Sequence, residues 1–559
     1  MSYHPLITLF VFCCAINTAA ADTLYTNAKI YTVDNTNPWA NEVSVVDGKI
    51  TCVGDTGACA ATATHIVDMR GRFMMPGVID AHNHVRYAMG STFLSVAEAG
   101  DYQDFLSIIE AHAKQFPELK WIQGDGWNYS IFEGGMPNYK NIDGLAQGRP
   151  IMLTSYDAHT QLLNRAAMDA FGITRNTKRT PLGTIMRDAN GEPTGIFKAA
   201  IYVSEKDQEA LYDVLPAPDP EDLYHSFIGN LNKASANGIT SIVEPQMYPE
   251  DIDFFERARN EGKLNAHIHL ALYHPPGVGT DTLKEYKSIR DHYATDAQIH
   301  VPALKLYIDD VIESESAALF EPYVGTDNIG ELFYEAGEFN ALISQLDAEK
   351  FQIFIHAIGD RGINTALNAL EISRKANGAP AAPHQLVHVE LLQPSDIERF
   401  KLLDVSATMQ PRHMSPDVSL QWAKNIGPAR LKNAWPLKSL SDAGARFAFS
   451  SDWNVAEMNP MYGIFTAVTR TGLSGKPKGG WQPQQKIDVA TALYGYTLGS
   501  AIANGMADQR GSIAKGKYAD IVVLGMNPFE VPPEILKDIP IIETIFEGKT
   551  IFKAIADET

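Results

Sequence analysis

Two histidines one residue apart give the first chemical lead. They close the stretch Met75-Pro-Gly-Val-Ile-Asp-Ala-His-Asn-His-Val85, which enters through a Pro-Gly turn and runs apolar, as a buried parallel strand does. Side chains alternate along a strand, so His82 and His84 share one face and Asn83 takes the other. Two imidazoles on one face at a strand terminus can grip a divalent metal. Taken alone, a His-x-His is also an ordinary pair of polar residues at a strand end.

What lies downstream weighs against that bland reading. Lys305 sits inside the apolar run Ala-Leu-Lys-Leu-Tyr-Ile, and His356 ends Ile-Phe-Ile-His. His388 lies in Leu-Val-His-Val-Glu, and Asp452 in Phe-Ser-Ser-Asp-Trp. One ionisable residue in an apolar strand is a chance feature. The same placement in one strand after another is not, because each buried group must be paired or coordinated. Together they predict a metal site.

The elements that carry these residues alternate between apolar strands and amphipathic stretches. Candidate strands are Gly77–Val85, Ile239–Glu244, Ala266–Tyr273, Ala303–Asp309, Gln352–Ile358, Gln385–Glu390, Val405–Met409 and Arg446–Asp452. Amphipathic runs such as Asp222–Asn237 and Arg361–Asn377, the latter capped by Asp360, lie between them. This α/β alternation predicts a parallel sheet closed into a (β/α)8 TIM barrel over residues 76–504, with the chemistry at the C-terminal ends of its strands. The gap after the first strand is longer than one helix needs. Residues from about 90 to 215 are therefore an insertion, left through the Pro-rich linker Pro216-Ala-Pro-Asp-Pro220.

Both chain ends are β-like. Thr23–Tyr31, Glu42–Val46, Lys49–Val53 and His65–Met69 precede the barrel, with an Asp47-Gly48 hairpin signal. Asp520–Leu524, Ile541–Phe546 and Thr550–Lys553 follow it. Neither set buries a core alone. Residues 22–75 and 505–559 are expected to pair into one small composite β-sandwich domain.

At 559 residues, 45% hydrophobic and 20% charged, the chain has the composition of an ordered globular protein. A formal net charge of −21 opposes binding to nucleic acid or anionic membrane. Residues 1–21 read as a secretory signal peptide, with an apolar run and Ala19-x-Ala21 before Asp22, although no Lys or Arg leads it. The run is short for a stable membrane span. An exported, periplasmic or secreted protein of bacterial type follows as an expectation. Cys52 and Cys59 then remain, either as a small disulfide loop or as two thiols. Homo-oligomerisation is left open.

The residues above resemble the amidohydrolase superfamily, and within it the family-3 branch of YtcJ-like metal-dependent hydrolases. Besides Met-Pro-Gly-Val-Ile-Asp-Ala-His-Asn-His, the likeness rests on Tyr-Asp-Ala-His159-Thr-Gln-Leu-Leu-Asn164, Gly-Glu-Pro-Thr-Gly195, His356-Ala-Ile-Gly-Asp-Arg361, Ser-Ser-Asp452-Trp and the closing Gly-Ser-Ile-Ala-Lys-Gly-Lys-Tyr-Ala-Asp520. It implies that His82, His84, His356, His388 and Asp452 are metal ligands. Lys305 stands where many relatives carry a carboxylated lysine bridging two metals; the alternative is an unmodified lysine beside one metal. Zn²⁺, one ion or two, is the implied cofactor.

The implied reaction is hydrolysis of a non-peptide carbon–nitrogen bond in a small amide or N-acyl substrate, with Asp452 moving the proton and His159 assisting. Cyclic amide opening, deamination or ester hydrolysis on the same site, and a catalytically silent binding or regulatory protein, are the alternatives. The resemblance also brings Asp157 and His159 to the substrate. Trp127 and Tyr129, in Gly124-Asp-Gly-Trp-Asn-Tyr129, are either substrate contacts or loop packing. Arg361 either holds a substrate carboxylate or pairs with Asp360. Relatives commonly carry an acidic residue after Pro-Thr-Gly, where this chain reads Gly195-Ile-Phe-Lys-Ala-Ala, so no role is carried over for that loop.

Overall fold

The computed structural model describes residues 22–59, 64–87, 89–178, 180, 182–199, 211 and 213–555; the expected signal peptide, 1–21, and part of the insertion lie outside the described residues. Eight strands form one parallel sheet in sequential order. They are β1 (Val78–Asp80), β2 (Ile239–Met247), β3 (His267–Tyr273), β4 (Ile299–Tyr307), β5 (Gln352–Ala357), β6 (Gln385–His388), β7 (Ser406–Met409) and β8 (Arg446–Phe449). The Ala81 amide donates to Phe449 O at 3.2 Å, bringing the two ends of the sheet together as a barrel.

Most strands differ from the expected bounds by a few residues; β8 ends at Phe449, so Asp452 follows the ladder, and β1 and β4 differ most. β1 stops at Asp80, so His82 and His84 lie beyond the ladder in irregular backbone rather than on a strand face. Asp80 causes the stop, because its carboxylate accepts from Asn83 and Ser451 and bends the chain. β4 begins at Ile299, upstream of the expected Ala303, and includes Pro302. Proline offers no N–H, and the pairing with β3 shifts register between His269 and Ala271, where that donor is missing.

The helices follow their apolar spacing. Helix Pro220–Ala236 is capped by Asp219, whose side chain accepts from the Glu221 amide, and buries Tyr224, Phe227, Leu231 and Ala234. Helix Asp360–Asn377 buries Ile363, Ala366, Leu367 and Leu370 and ends at Gly378; its N-cap is Gly359, and the expected cap, Asp360, is its first residue, with its carboxylate turned to Phe320 N and Gln393. Among the described residues no helix is long and apolar enough to cross a membrane.

Strands from both chain ends build two further sheets. Phe73–Pro76 runs antiparallel to Ile521–Leu524, joining Lys29–Tyr31 and Trp39–Ala40 to Ile541–Phe546 and Lys549–Lys553 in a six-stranded sheet. Thr23–Thr26, Glu42–Val46, Lys49–Gly54 and His65–Asp68 form a four-stranded one. Tyr25, Val43, Val45 and Ile50 meet Met74, Ile521, Val523 and Ile545 in a shared core. Asp47 and Gly48 both have positive φ, as a tight hairpin of this sequence requires. Cys52 and Cys59 are joined as a disulfide.

The insertion has more order than its sequence suggested. Leu94–Ser95, Ile122–Trp127, Ile151–Ser155, Thr160–Leu163, Thr184–Arg187 and Pro193–Lys198 form a six-stranded mixed sheet. Helix Tyr102–Gln115 packs on it through Phe105 and Ile109 over Ile122, Leu153 and Leu162.

Gly77 sets how closely the sandwich strand can run into β1: a Cβ there would lie 2.1 Å from Thr240 Oγ1. Gly77→Ala should therefore cost ~1–3 kcal/mol in chemical denaturation, and adding Thr240→Ala should recover part of it. A wild-type unfolding midpoint for Gly77→Ala would contradict this close approach.

Candidate active site

Asp80 joins the first and last barrel strands at the level of the site. Its buried carboxylate accepts from the Ser451 amide at 2.9 Å, from Ser451 Oγ at 2.6 Å and from Asn83 Nδ2 at 2.8 Å. Burial raises its pKa to about 6 in spite of those donors. The backbone continues the join: the Asp452 amide donates to His82 O at 2.9 Å and the His84 amide to Trp453 O at 2.7 Å. Residues 371 positions apart are thus neighbours.

Asp452 is the hub. One carboxylate oxygen lies 3.3 Å from both His82 Nε2 and His84 Nε2; the other lies 3.7 Å from His413 Nε2 and 3.9 Å from His388 Nδ1. The His82 ring is 5.1 Å from that of His84 and 5.3 Å from that of His388, and His356 lies 4.6 Å from His388, centroid to centroid. Both His388 (φ 79°) and Asp452 (φ 56°) occupy the left-handed region, a conformation non-glycine residues hold only when their surroundings impose it.

The electrostatics suit a cation. Burial, aided by the Lys305 charge, pulls His82 down to about 3 and holds His356 and His388 well below the usual imidazole range, so all three keep a free lone pair. His84 behaves oppositely. Burial works against its proton, but Asp452 and Glu244, whose Oε1 is 3.4 Å from Nδ1, raise it to about 9. Burial alone would raise the Asp452 carboxyl; the imidazoles of His82, His84 and His388 beside it keep it well below the carboxylate range.

Lys305 is fully buried, with no hydrogen-bond partner for Nζ. Burial lowers its pKa to about 7 against the pull of Asp452 and Glu244. His82 Nδ1, His356 Nδ1 and Asp452 Oδ1 are likewise buried without hydrogen bonds. Such a set, polar and anionic at its centre, fits a divalent ion.

The insertion supplies the wall facing this cluster. The turn after Ile151–Ser155 carries Asp157 and His159. His159 Nδ1 is in direct ion-pair contact with Asp310, just after β4, and its ring lies 5.2 Å from that of His356. Burial disfavours the His159 proton, but Asp310 and Asp157 raise its pKa. Asp157 Oδ1 accepts from the His159 amide at 3.1 Å, while Oδ2 has no hydrogen-bond partner. These residues line a cavity of about 510 Å³ with His84, Glu244, Tyr307 and Asn454. A smaller one of about 30 Å³ continues between Glu313, Glu390 and His413.

Two residues expected at the substrate lie elsewhere. Trp127 is buried in the core of the insertion, its Nε1 donating to Leu153 O at 2.9 Å. In the same glycine-rich segment it is Asp125 that reaches the barrel, accepting from Asn454 at 3.0 Å. Arg361 neither faces the cavity nor pairs with Asp360; it donates to Ile329 O and Gly330 O, at 3.2 and 2.8 Å. Asp360 accepts from the Phe320 amide and Gln393. Tyr129 is packing too, its hydroxyl 2.9 Å from Thr160 Oγ1. Lys198 contacts Ser314 O and ties the insertion to the loop after β4.

Sequence reading missed Glu244, Asp310, His413 and Gln410, whose Oε1 lies 2.9 Å from His388 Nδ1. Their signal was positional: Glu244 lies in the C-terminal half of β2, and Asp310, Gln410 and His413 closely follow β4 and β7.

A barrel with buried imidazoles and a carboxylate gathered at the C-terminal ends of its strands defines a metal-dependent hydrolase of the amidohydrolase type. The profile of the amidohydrolase family matches residues 65–552, and the chain belongs to that family, in its YtcJ-like branch. The chain is thus an amidohydrolase, a hydrolase of carbon–nitrogen bonds other than peptide bonds.

Putative amidohydrolase YtcJ of Bacillus subtilis is 26% identical over 94% of this chain and 98% of its own. N-substituted formamide deformylase of Arthrobacter pascens is 26% identical over 95% and 98%. Protein LONG AFTER FAR-RED 3 of Arabidopsis thaliana is 27% identical over 95% and 92%. Among solved structures, an uncharacterized metal-dependent hydrolase from Pyrococcus horikoshii shares the fold with a TM-score of 0.68 at 22% identity, covering 92% of this chain and 99% of that one.

Asp310→Asn keeps the shape at His159 but removes the charge holding its ring. Turnover should fall by about ten- to a hundredfold with bound metal unchanged. Loss of metal in step with activity would show that Asp310 acts on the ligand cluster instead.

Proposed function

We propose that the protein hydrolyses the acyl–nitrogen bond of a small, linear N-acyl amide, with zinc held by His82, His84, His356, His388 and Asp452. The observation that carries this reading is the convergence of His82, His84 and His388 on one Asp452 carboxylate, with the His356 ring 4.6 Å from that of His388, beside a cavity of about 510 Å³. The similarity to N-substituted formamide deformylase supports a linear amide, and the fold shared with a zinc-containing adenosine deaminase from Xanthomonas campestris (TM-score 0.54, 14% identity) supports the choice of metal. When bound, a divalent cation supplies Lewis acidity, lowering the pKa of water towards ~7 and polarising the acyl carbonyl.

The chain's own groups do the rest. Asp452, kept ionised by its imidazole neighbours, accepts a proton from the attacking water and returns it to the departing nitrogen. The water oxygen bonds to the acyl carbon, the carbon–nitrogen bond breaks, and a carboxylic acid and an amine result. His159 has Nδ1 committed to Asp310, which leaves Nε2–H for the acyl oxygen. Asp157, with an unpartnered oxygen on the same wall, accepts from an N–H of the substrate. Lys305, titrating near neutrality with no hydrogen-bond partner, is placed to add carbon dioxide as the free amine. Its carbamate would bring negative charge to the floor of the cluster.

Two experiments test this reading. Zinc-loaded protein is assayed against N-substituted formamides, longer N-acyl amines, lactams, amino-heterocycles and esters; turnover confined to the last three classes would overturn the linear-amide reading. Asp452→Asn should lower turnover by about a thousandfold while retaining metal. Wild-type turnover in that variant would remove Asp452 from the proton path.

The apolar leader and the disulfide support export. N-terminal sequencing of the protein from a host periplasm or medium should begin at Asp22. A cytosolic protein that keeps Met1 would refute it.

A further inference from the structure

Where the barrel strands begin, opposite the catalytic mouth, lies a second cavity of about 510 Å³. His269 of β3, His300 of β4, Gln352 of β5 and the segment that leaves the barrel for the sandwich, ending at Arg510, form its wall. It shares no lining residue with the catalytic cavity. His300 and Lys305 lie on one strand, separated by ~17 Å at the rise of extended chain.

Arg510 is the anomaly in this wall. Only 3% of the residue is exposed. Nη2 donates to Gln509 Oε1 at 3.2 Å, Nη1 reaches the Met506 sulfur at 4.0 Å, and Nε has no hydrogen-bond partner. The Tyr518 ring centroid lies 5.2 Å from its guanidinium carbon, and the carboxylates behind it, Asp520 and Glu547, act on it through space without a hydrogen bond, their contacts being to His267 at 3.3 and 3.7 Å. A buried guanidinium is costly unless an anion meets it.

The rest of the wall offers no such anion. Asp347 is already engaged by Ser373 Oγ at 2.6 Å, Asn377 Nδ2 at 2.9 Å and His384 Nε2 at 3.2 Å. The Gln352 amide nitrogen donates to Pro383 O and Ala503 O, so its oxygen takes the His269 Nε2–H, 3.3 Å away. His269 is therefore a neutral, satisfied group. His300 and, at the rim, Lys350 add only positive or neutral character, while Ile268, Phe351 and Pro380 supply apolar surface.

We infer that this cavity binds a small organic oxyanion, its charged end on Arg510 and His300 and its short apolar body against Phe351 and Pro380. Carboxylates and phosphate monoesters share that chemistry. The site is independent of the reading given to the catalytic cluster.

Isothermal titration of the full-length mature enzyme with butyrate, inorganic phosphate and uncharged 1-butanol tests it. One of the two anions should bind saturably and 1-butanol should not; which anion binds more tightly separates carboxylate from phosphate. Arg510→Gln should weaken that binding by about tenfold or more, the share expected of a charge-assisted contact, with bound metal unchanged. His300→Gln, at a half-buried position, should weaken it severalfold and decides the matter if Arg510→Gln does not fold. No saturable binding to the wild type, or equal affinity in the folded variants, as for an anion seated at the catalytic cluster, would overturn the inference.

Discussion

The site depends on one buried carboxylate that is not part of it. Asp80 fastens the end of β1 to the segment after β8, and the residues it fixes are the immediate neighbours of His82, His84 and Asp452. A parallel barrel must close somewhere, and closure by backbone pairing alone leaves freedom in the loops beyond. A carboxylate with several donors removes that freedom at the place where ligand positions have to be held within a fraction of an ångström. Burial makes the arrangement exacting, since an Asp80 deprived of Ser451 or Asn83 would be a partly unpaired polar group in the core.

Given that closure, the cluster follows from a contest between desolvation and charge. Neutral imidazoles are what burial enforces at His82, His356 and His388. Ionised carboxylate is what His82, His84 and His388 enforce at Asp452. Only His84, between two acids, is driven towards a positive charge. Positive charge is what the two acids require there, and a divalent ion meets that requirement as a proton does. The left-handed backbone at His388 and Asp452 is held by the same convergence.

Much of this was legible from residue order. Strand existence, barrel architecture, the pairing of the chain ends and the positions of His82, His84, Lys305, His356, His388 and Asp452 all follow from apolar segments that end in ionisable groups. Boundaries were less legible. β1 ends early because Asp80 bonds a serine far along the chain, a long-range cause that no local pattern carries. Trp127 and Arg361 misled for a related reason: a tryptophan among glycines and an arginine beside a ligand look chemical in one dimension. The insertion's sheet gave Trp127 a core to fill, and the backbone at 329–330 gave Arg361 its acceptors. Glu244, Asp310 and His413 were visible by position but not by type, because acids and histidines near the ends of strands are common. Only the fold shows which of them turn inward.

His159 comes from outside the barrel, on a turn of a sheet with its own hydrophobic core. The groups that would grip a metal and the wall that would greet a substrate therefore belong to separately folded layers. Rebuilding the loops of the outer layer would leave the ligand cage untouched. A lineage sharing this scaffold could thus change what it accepts while keeping how it cuts. Preference for one amide over another should then drift with the segment after β1, and not with the barrel strands.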